Sequence, residues 1–256
     1  MKIIGVIPAR MASTRFPGKP LAKILGIPMV GHVYFRTRMS SLIDELYVAT
    51  CDEEIKEYVN SIGGKAIMTS ATHERASERT SEAMRKIEDQ TGEKVGIVVM
   101  VQGDEPMVLP DMIDEAVQPI INDSDIQVTN LMSPLKSRSE HEDPNEIKVV
   151  VDRNGFALYF SREAIPTPKK HPQNIPMMKQ VCIIPFRRRF LDKFNALEPT
   201  PLEIAESIDM LRILEHGYRV KMVRIDKGTY SVDTKEDLIR VEKLMENDDL
   251  MTKYAL

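Results

Sequence analysis

Three cations, Arg10, Arg15 and Lys19, and two hydroxyls, Ser13 and Thr14, crowd into one short stretch directly after an apolar run, Ile3-Ile4-Gly5-Val6-Ile7. Their spacing puts the cations on no common helical face. They converge on one ligand only if a folded loop turns them inward, and Pro17-Gly18 supplies the bend. Pro8 and Ala9 carry the backbone into that loop. A loop of this charge at the carboxyl end of a buried strand is suited to gripping a triphosphate; a solvated basic turn is the alternative. Two carboxylates join the set. Asp104 follows the apolar run 96–101 in Gln102-Gly103-Asp104-Glu105-Pro106, and Asp233 follows a strand-like stretch in Val232-Asp233-Thr234. Hard divalent ions take one or two protein carboxylates beside phosphate oxygens and water, so both aspartates are candidate magnesium ligands. Read locally, Asp104 is also a turn former, Asp233 a helix cap ahead of Glu236, and Glu105 a structural or capping residue.

Together Arg10, Lys19, Asp104 and Asp233 would support in-line displacement at the α-phosphorus of a nucleoside triphosphate. Cations hold the leaving pyrophosphate, and a metal between aspartates neutralises charge at the α-phosphate. Positioning and charge supply the rate in such reactions, so no covalent nucleophile is needed. No Ser/His/Asp or Cys/His arrangement is evident, and the five histidines show no metal-ligand spacing. The polar segment 68–79, with Ala71, Arg75 and Ser77, follows the third strand-like run. It can read a base edge, or serve merely as a helix entry capped by Ser77.

The elements that must hold these side chains alternate. The pattern predicts a helix over 29–39 after Pro28, a strand over 45–50, a helix over 53–62 stopped by Gly63-Gly64, and a strand over 65–68. A helix over 77–88 and the strongly apolar strand 96–101 follow. Strands alternating with helices imply a parallel sheet with right-handed crossovers. Beyond about residue 125 the pattern turns to strands, 126–131, 147–152 and 156–160, with a hairpin turn at Asp152-Arg153-Asn154-Gly155. The Pro-, Lys- and Met-rich segment 166–180 has no period and reads as a loop or lid. A helix over 202–216 ended by Gly217, a strand over 221–225 and a closing helix over 235–245 return the chain to the core. The expected architecture is one α/β domain over 1–256 with a mostly parallel, Rossmann-like sheet and a smaller mixed lobe over about 126–200.

A chain of 256 residues with 42% hydrophobic content can bury a full core. The formal charge of −4 argues against a general nucleic-acid binder and leaves the cationic loop as a local anion site. Two cysteines, Cys51 and Cys182, give no disulfide framework, and no apolar run approaches membrane-spanning length. The expectation is a cytoplasmic protein without nucleic-acid or membrane partners.

These motifs carry a resemblance. Pro8-Ala9-Arg10 with Ser13-Thr14-Arg15 and Pro17-Gly18-Lys19-Pro20, then Val101-Gln102-Gly103-Asp104-Glu105-Pro106, then Ala157-Leu158-Tyr159-Phe160-Ser161-Arg162 with Ile165-Pro166, and Val232-Asp233-Thr234 with Glu236-Asp237-Leu238, run almost end to end. In all of them the chain resembles the cytidylyltransferases that activate 3-deoxy-manno-octulosonate (Kdo), the CMP-Kdo synthetases. The resemblance implies a nucleotide-diphospho-sugar transferase-like fold and a homodimer built through the second lobe. It also implies magnesium-dependent transfer of CMP from CTP to the anomeric hydroxyl of a small acidic keto sugar, as in lipopolysaccharide or capsule synthesis. It implies that Arg10, Ser13, Arg15 and Lys19 hold CTP, that Asp104 and Asp233 bind metal, and that Gln102, Arg162 and Glu203 face the sugar acid.

The departures cluster. Where the family reads His-x-Gly-Ile-Tyr-Gly-Tyr-Arg, this chain has Gln180-Val181-Cys182-Ile183-Ile184-Pro185-Phe186-Arg187, so Gln180 and Ile184 replace a sugar-facing histidine and tyrosine. Arg75-Ala76-Ser77 stands where the family has Ser-Gly-Thr. Lost hydrogen bonds to a polyol change substrate choice, so the expectation is an acceptor related to Kdo but different: another 3-deoxy-ulosonate, an amino-substituted analogue, or some other carboxylate or phosphonate. A sugar-1-phosphate nucleotidylyltransferase is the competing enzyme reading, and the Arg162 and Glu203 segments argue against it. A non-catalytic nucleotide-binding regulator is the competing class, and retention of both Asp104 and Asp233 argues against that.

Overall fold

The computed structural model describes residues 1–12, 15–169 and 176–255. The chain folds as two units, Met1–Asp114 with Thr229–Leu256, and Glu115–Gly228. The first unit opens with β1 (Lys2–Pro8), a short hairpin of β2 (Lys23–Ile24) and β3 (Ile27–Pro28), and α1 (Met29–Arg38). It continues through β4 (Glu45–Thr50), α2 (Glu53–Ser61), β5 (Ala66–Met68), α3 (Ala76–Thr91) and β6 (Val95–Val101). β1 pairs with β4 on one side and β6 on the other, and β5 pairs with β4, all parallel, so the strands lie in the order β6-β1-β4-β5. Strands covered on both faces read as continuous apolar runs. Ile4, Val6, Ile7, Val48, Val98 and Val99 are fully buried, as that rule requires. The expected α/β class and the alternation up to residue 101 stand, with element ends shifted by one to three residues.

The division between units falls inside α4 (Pro110–Asn122), a helix the sequence pattern did not single out. The second unit then holds β7 (Thr129–Pro134), α5 (Arg138–Glu142), β8 (Lys148–Val151), β9 (Ala157–Ser161), β10 (Met178–Val181) and β11 (Ile183–Arg187). After these come α6 (Arg188–Asn195), α7 (Pro201–Glu206), α8 (Met210–Glu215) and β12 (Lys221–Arg224). Its mixed sheet has the order β12-β7-β10-β8-β9, with only β12 parallel to its neighbour. The turn expected at 152–155 joins antiparallel β8 and β9. Asp152 Oδ1 accepts from the Asn154 and Phe156 amides at 2.8 and 2.9 Å, and Gly155 takes the left-handed φ of 74° that the bend demands.

Three expectations need correction. The strand expected over 126–131 is displaced toward the C-terminus, and Val128 makes only an isolated bridge to Phe186. The single helix expected over 202–216 is two helices, because Ser207 adopts left-handed dihedrals (φ 54°, ψ 48°) and ends α7. The segment 166–180 is not all loop, since β10 begins at Met178, and the part over 170–175 lies outside the described residues. Gly217 does terminate α8, with φ 77°. The chain rejoins the first unit through α9 (Lys235–Met245), whose bounds match the expectation.

Candidate active site

Loop chemistry and one small apolar cluster place the charged groups. The stretch after β1 closes on itself where the Gly18 amide donates to Met11 O at 3.0 Å and the Lys19 amide to Phe16 O at 3.2 Å. Gly18 has φ 75°, a conformation glycine adopts without steric cost. Phe16 packs with Ile24, Met29, Val232, Val241 and Met245. The neighbours of Arg15 and of Asp233 are thereby buried together, which brings residues more than two hundred positions apart to one place. A backbone bond from the Val232 amide to Asp104 O, 2.9 Å, ties the second carboxylate segment to the first.

Around that seam the side chains converge. Lys19 Nζ lies 2.7 Å from Asp104 Oδ2 and 3.2 Å from Asp233 Oδ1, and Arg15 Nη2 lies 2.9 Å from the same Asp233 oxygen. Burial pulls the Lys19 ammonium toward deprotonation, but attraction to Asp104 and then Asp233 outweighs it, and its pKa is raised. Asp233 is not the cap of α9. Thr234 is, its Oγ1 accepting from the Asp237 amide at 3.1 Å while Asp237 answers the Thr234 amide at 2.9 Å. The capping box leaves the Asp233 carboxylate for the cleft.

A cleft of about 310 Å³ is lined by Pro8, Ala9, Arg10, Arg15, Lys19, Arg75, Gln102, Asp104 and Asp233, nine of the residues singled out in the sequence. Gly103 lines it too, and a Cβ there would stand 3.1 Å from Pro8 O, so its bare backbone lets the two strand ends approach. Ser13 lies outside the described residues. Ala71 is exposed on a turn and Ser77 is buried inside α3, whose first helical residue is Ala76; neither lines the cleft. Glu78, not Ser77, answers the entry of that helix, accepting from the Arg75 amide at 3.2 Å. Glu105 is buried, and its backbone turns the chain through bonds to Gln102 and Val108.

Three further residues line or support the cleft: His73 and Arg79, from the segment 68–79 expected to reach the site, and Glu82, which the sequence pattern did not single out. Arg79, 3% exposed, reaches Thr69 Oγ1 through Nη1, while its buried Nη2 has no hydrogen-bond partner among the described residues. His73 carries Arg10, whose Nη1 donates to the His73 carbonyl at 3.3 Å. Glu82 in turn holds that loop: it bonds His73 Nε2 and accepts from the Ser70 amide at 2.9 Å. The signal for Arg79 and Glu82 was the helical recurrence of Arg75, Arg79, Glu82 and Lys86.

In the second unit, Arg162 donates to Glu206 O at 2.7 Å and to Pro144 O at 2.9 Å. Gln180 Nε2 donates to Asn130 Oδ1 at 2.6 Å, and Ile184 is buried in β11. Glu203 is fully buried, both its oxygens 2.6 Å from Arg212.

Two aspartate oxygens that share one ammonium are hard donors, the kind a divalent cation takes. Among the described residues no three His, Cys, Asp or Glu side chains converge, so phosphate oxygens and water would complete the shell. The donor set fits magnesium held jointly with a triphosphate.

Residues 4–225 match the cytidylyltransferase family. A 3-deoxy-manno-octulosonate cytidylyltransferase of Geobacter metallireducens is 45% identical over 255 residues, covering 95% of this chain and 98% of that protein. One of Syntrophotalea carbinolica is 43% identical over 250 residues, with 94% and 98% covered. Among solved structures, a CMP:2-keto-3-deoxy-manno-octonic acid synthetase complexed with CTP superposes with a TM-score of 0.89 at 36% identity, covering 97% of this chain and all of that one.

Proposed function

This chain belongs to the cytidylyltransferase family, and we propose that it transfers CMP from CTP to the anomeric hydroxyl of 3-deoxy-manno-octulosonate, releasing pyrophosphate. The observation that carries the reading is the convergence of Asp104 and Asp233, from distant segments, on one cleft with Arg10, Arg15 and Lys19. The acceptor oxygen attacks the α-phosphorus as the bond to the bridging oxygen of the β-phosphate breaks, pyrophosphate leaves with that oxygen, and the hydroxyl proton passes to water. Arg10, Arg15 and Lys19 are placed to receive the charge that gathers on the leaving pyrophosphate. Gln102 and Gly103 form the floor beside Asp104 and keep the phosphate chain against the strand ends. Magnesium, held by Asp104 and Asp233, would supply charge neutralisation at the α-phosphate.

The departures at Gln180 and Ile184 pointed to a different acid. Relatives more than two-fifths identical along almost the whole chain are named for 3-deoxy-manno-octulosonate, and that acceptor is preferred over the amino-substituted or phosphonate alternatives. Neither departure leaves a polar group unsatisfied, because Ile184 is core and Gln180 is bonded to Asn130. The resemblance supports a homodimer through the second unit, where Leu158, Leu202 and Ile204 are exposed. No helix among the described residues is long and apolar enough to cross a membrane, and a place in the cytoplasm, feeding lipopolysaccharide or capsule synthesis, accords with the resemblance.

The test is pyrophosphate release from CTP with Kdo present or absent, and CMP-Kdo identified by mass. Acceptor-dependent release is expected. Asp104→Asn should lower kcat about a hundredfold or more while CTP binding survives; an unchanged rate removes Asp104 from the reaction.

A further inference from the structure

Within the cleft, Lys19 and Arg15 are paired with Asp104 and Asp233. Each half of that pairing is also wanted elsewhere. The phosphate chain needs the cations, and a divalent ion needs the carboxylates. We propose that Lys19 is a placeholder cation, which keeps the two aspartates together before nucleotide arrives and is drawn off by the triphosphate to open the pair to a divalent ion. The inference rests on the reading of this cleft as the CTP site.

Three observations carry it. Asp104 and Asp233 come from separate segments, and two carboxylates facing one point repel unless a cation lies between them. Lys19 fills that place with contacts to both, 2.7 and 3.2 Å, and so bridges the pair. Its side chain is only 13% exposed, whereas that of Arg15, which reaches Asp233 at 2.9 Å, is 54% exposed, so the better shielded charge is the one between the carboxylates.

Lys19 is also built to move. Its backbone is pinned in the turn over Lys19–Leu21, while a four-carbon stem lets the ammonium swing without any backbone shift. An ammonium and a divalent ion cannot share the gap, so metal entering the nucleotide-free protein must expel Lys19 against its two partners. With a triphosphate bound, Lys19 has another anion to go to and that opposition disappears. Nucleotide and metal therefore favour one another through a shared lysine, a coupling that acts in both directions.

The experiment is a titration of the nucleotide-free full-length protein with Mn²⁺, read by the electron-spin signal of the free ion. Lys19→Gln should tighten Mn²⁺ binding about tenfold or more, because one positive charge at contact distance is removed. Arg15→Gln alters an exposed side chain and should give a smaller tightening in the same direction, which keeps the test open if Lys19→Gln does not fold. Adding Asp104→Asn to Lys19→Gln should abolish the gain and so place it at this pair. Affinity unchanged or weakened in both folded single variants overturns the placeholder role. If Mn²⁺ binding is unmoved while the unaltered enzyme makes CMP-Kdo, this inference alone fails. If Mn²⁺ binding tightens but no CMP-Kdo forms, it is the assigned reaction that fails.

Discussion

At Glu82 a single carboxylate gathers three donors: the Ser70 amide at 2.9 Å, His73 Nε2, and Lys86 Nζ at 2.7 Å. Burial would raise its pKa, but Lys86, the Ser70 amide and His73 together hold it down at about 2, from an ordinary 4.5. The unfolded chain therefore binds a proton here that the folded protein does not, between those two values. The resulting stability is complete above pH 4.5 and drains away as pH falls through about 2. Glu82→Gln should lower the urea midpoint at neutral pH, and its difference from the unaltered protein should shrink steadily over that acid window. A difference independent of pH would mean the carboxylate's charge is not what holds the loop. The same scale shows what a sequence conveys about a site. Arg10, Arg15, Lys19 and Asp104 were legible because strand exits and charge are local properties. The cap at Thr234 was harder to see: Asp233 and Thr234 are both good caps, and only the reciprocal bonds with Asp237 decide between them. Glu203 was read as facing a ligand, and the structure sets its carboxylate on Arg212. That partner comes into reach only because the chain folds back between the two residues.

The fold-back belongs to the scale of elements. Across 202–216 the apolar residues keep a helical period, and no Gly or Pro interrupts them, so periodicity alone yields one helix. The structure breaks it at Ser207, where positive φ ends α7, and Asp209 opens α8. The break is what lets Glu203 and Arg212 meet as a buried pair, so tertiary burial overrides local preference. A serine in the left-handed region pays for its Cβ, and this one is exposed. Ser207→Gly should therefore raise stability by about 0.5–1 kcal/mol, net of the greater freedom glycine brings to the unfolded chain. A higher urea midpoint with an unchanged slope is the expected result. A loss of stability would show that the hydroxyl, and not the backbone, holds the corner. Strands were legible where both faces are buried, as in β1, β4 and β6, whose central residues are apolar. β10, β11 and α6 were missed because they are short and lie among Pro, Lys and Arg, which blur any period.

For the molecule as a whole, the first unit is assembled from two stretches, and the later one supplies Asp233. Besides the bonds around Asp104 and Asp233, that stretch is held by the apolar cluster around Phe16 and Val232 and by a polar knot between α1 and the segment after α9. In the knot Arg36, fully buried, donates through Nε to Tyr254 Oη at 2.9 Å and pairs with Asp248. His32 Nδ1 lies 2.9 Å from the same phenol oxygen, and Phe35 stacks on the Tyr254 ring at 5.3 Å. Burial keeps the His32 imidazole below its ordinary pKa, so the knot is made with a neutral ring. Tyr254→Phe keeps the stacking and removes the shared oxygen, leaving the buried Arg36 Nε donor and the His32 Nδ1 acceptor, whose ring donates through Nε2 to Ile24 O, short of a partner, and should cost about 1–2 kcal/mol. Tyr254→Ala also removes the ring and should cost about 3 kcal/mol. Asp233 rides on the same stretch, so under the proposed function CTP with Mg²⁺ should favour the fastened form and recover part of both losses when added at saturating concentration. Thermal unfolding with and without ligand checks this. A Tyr254→Ala protein with an unchanged midpoint would show that the knot does not fasten the returning chain. Equal losses for Phe and Ala would place the whole effect in the phenol oxygen that Arg36 and His32 share.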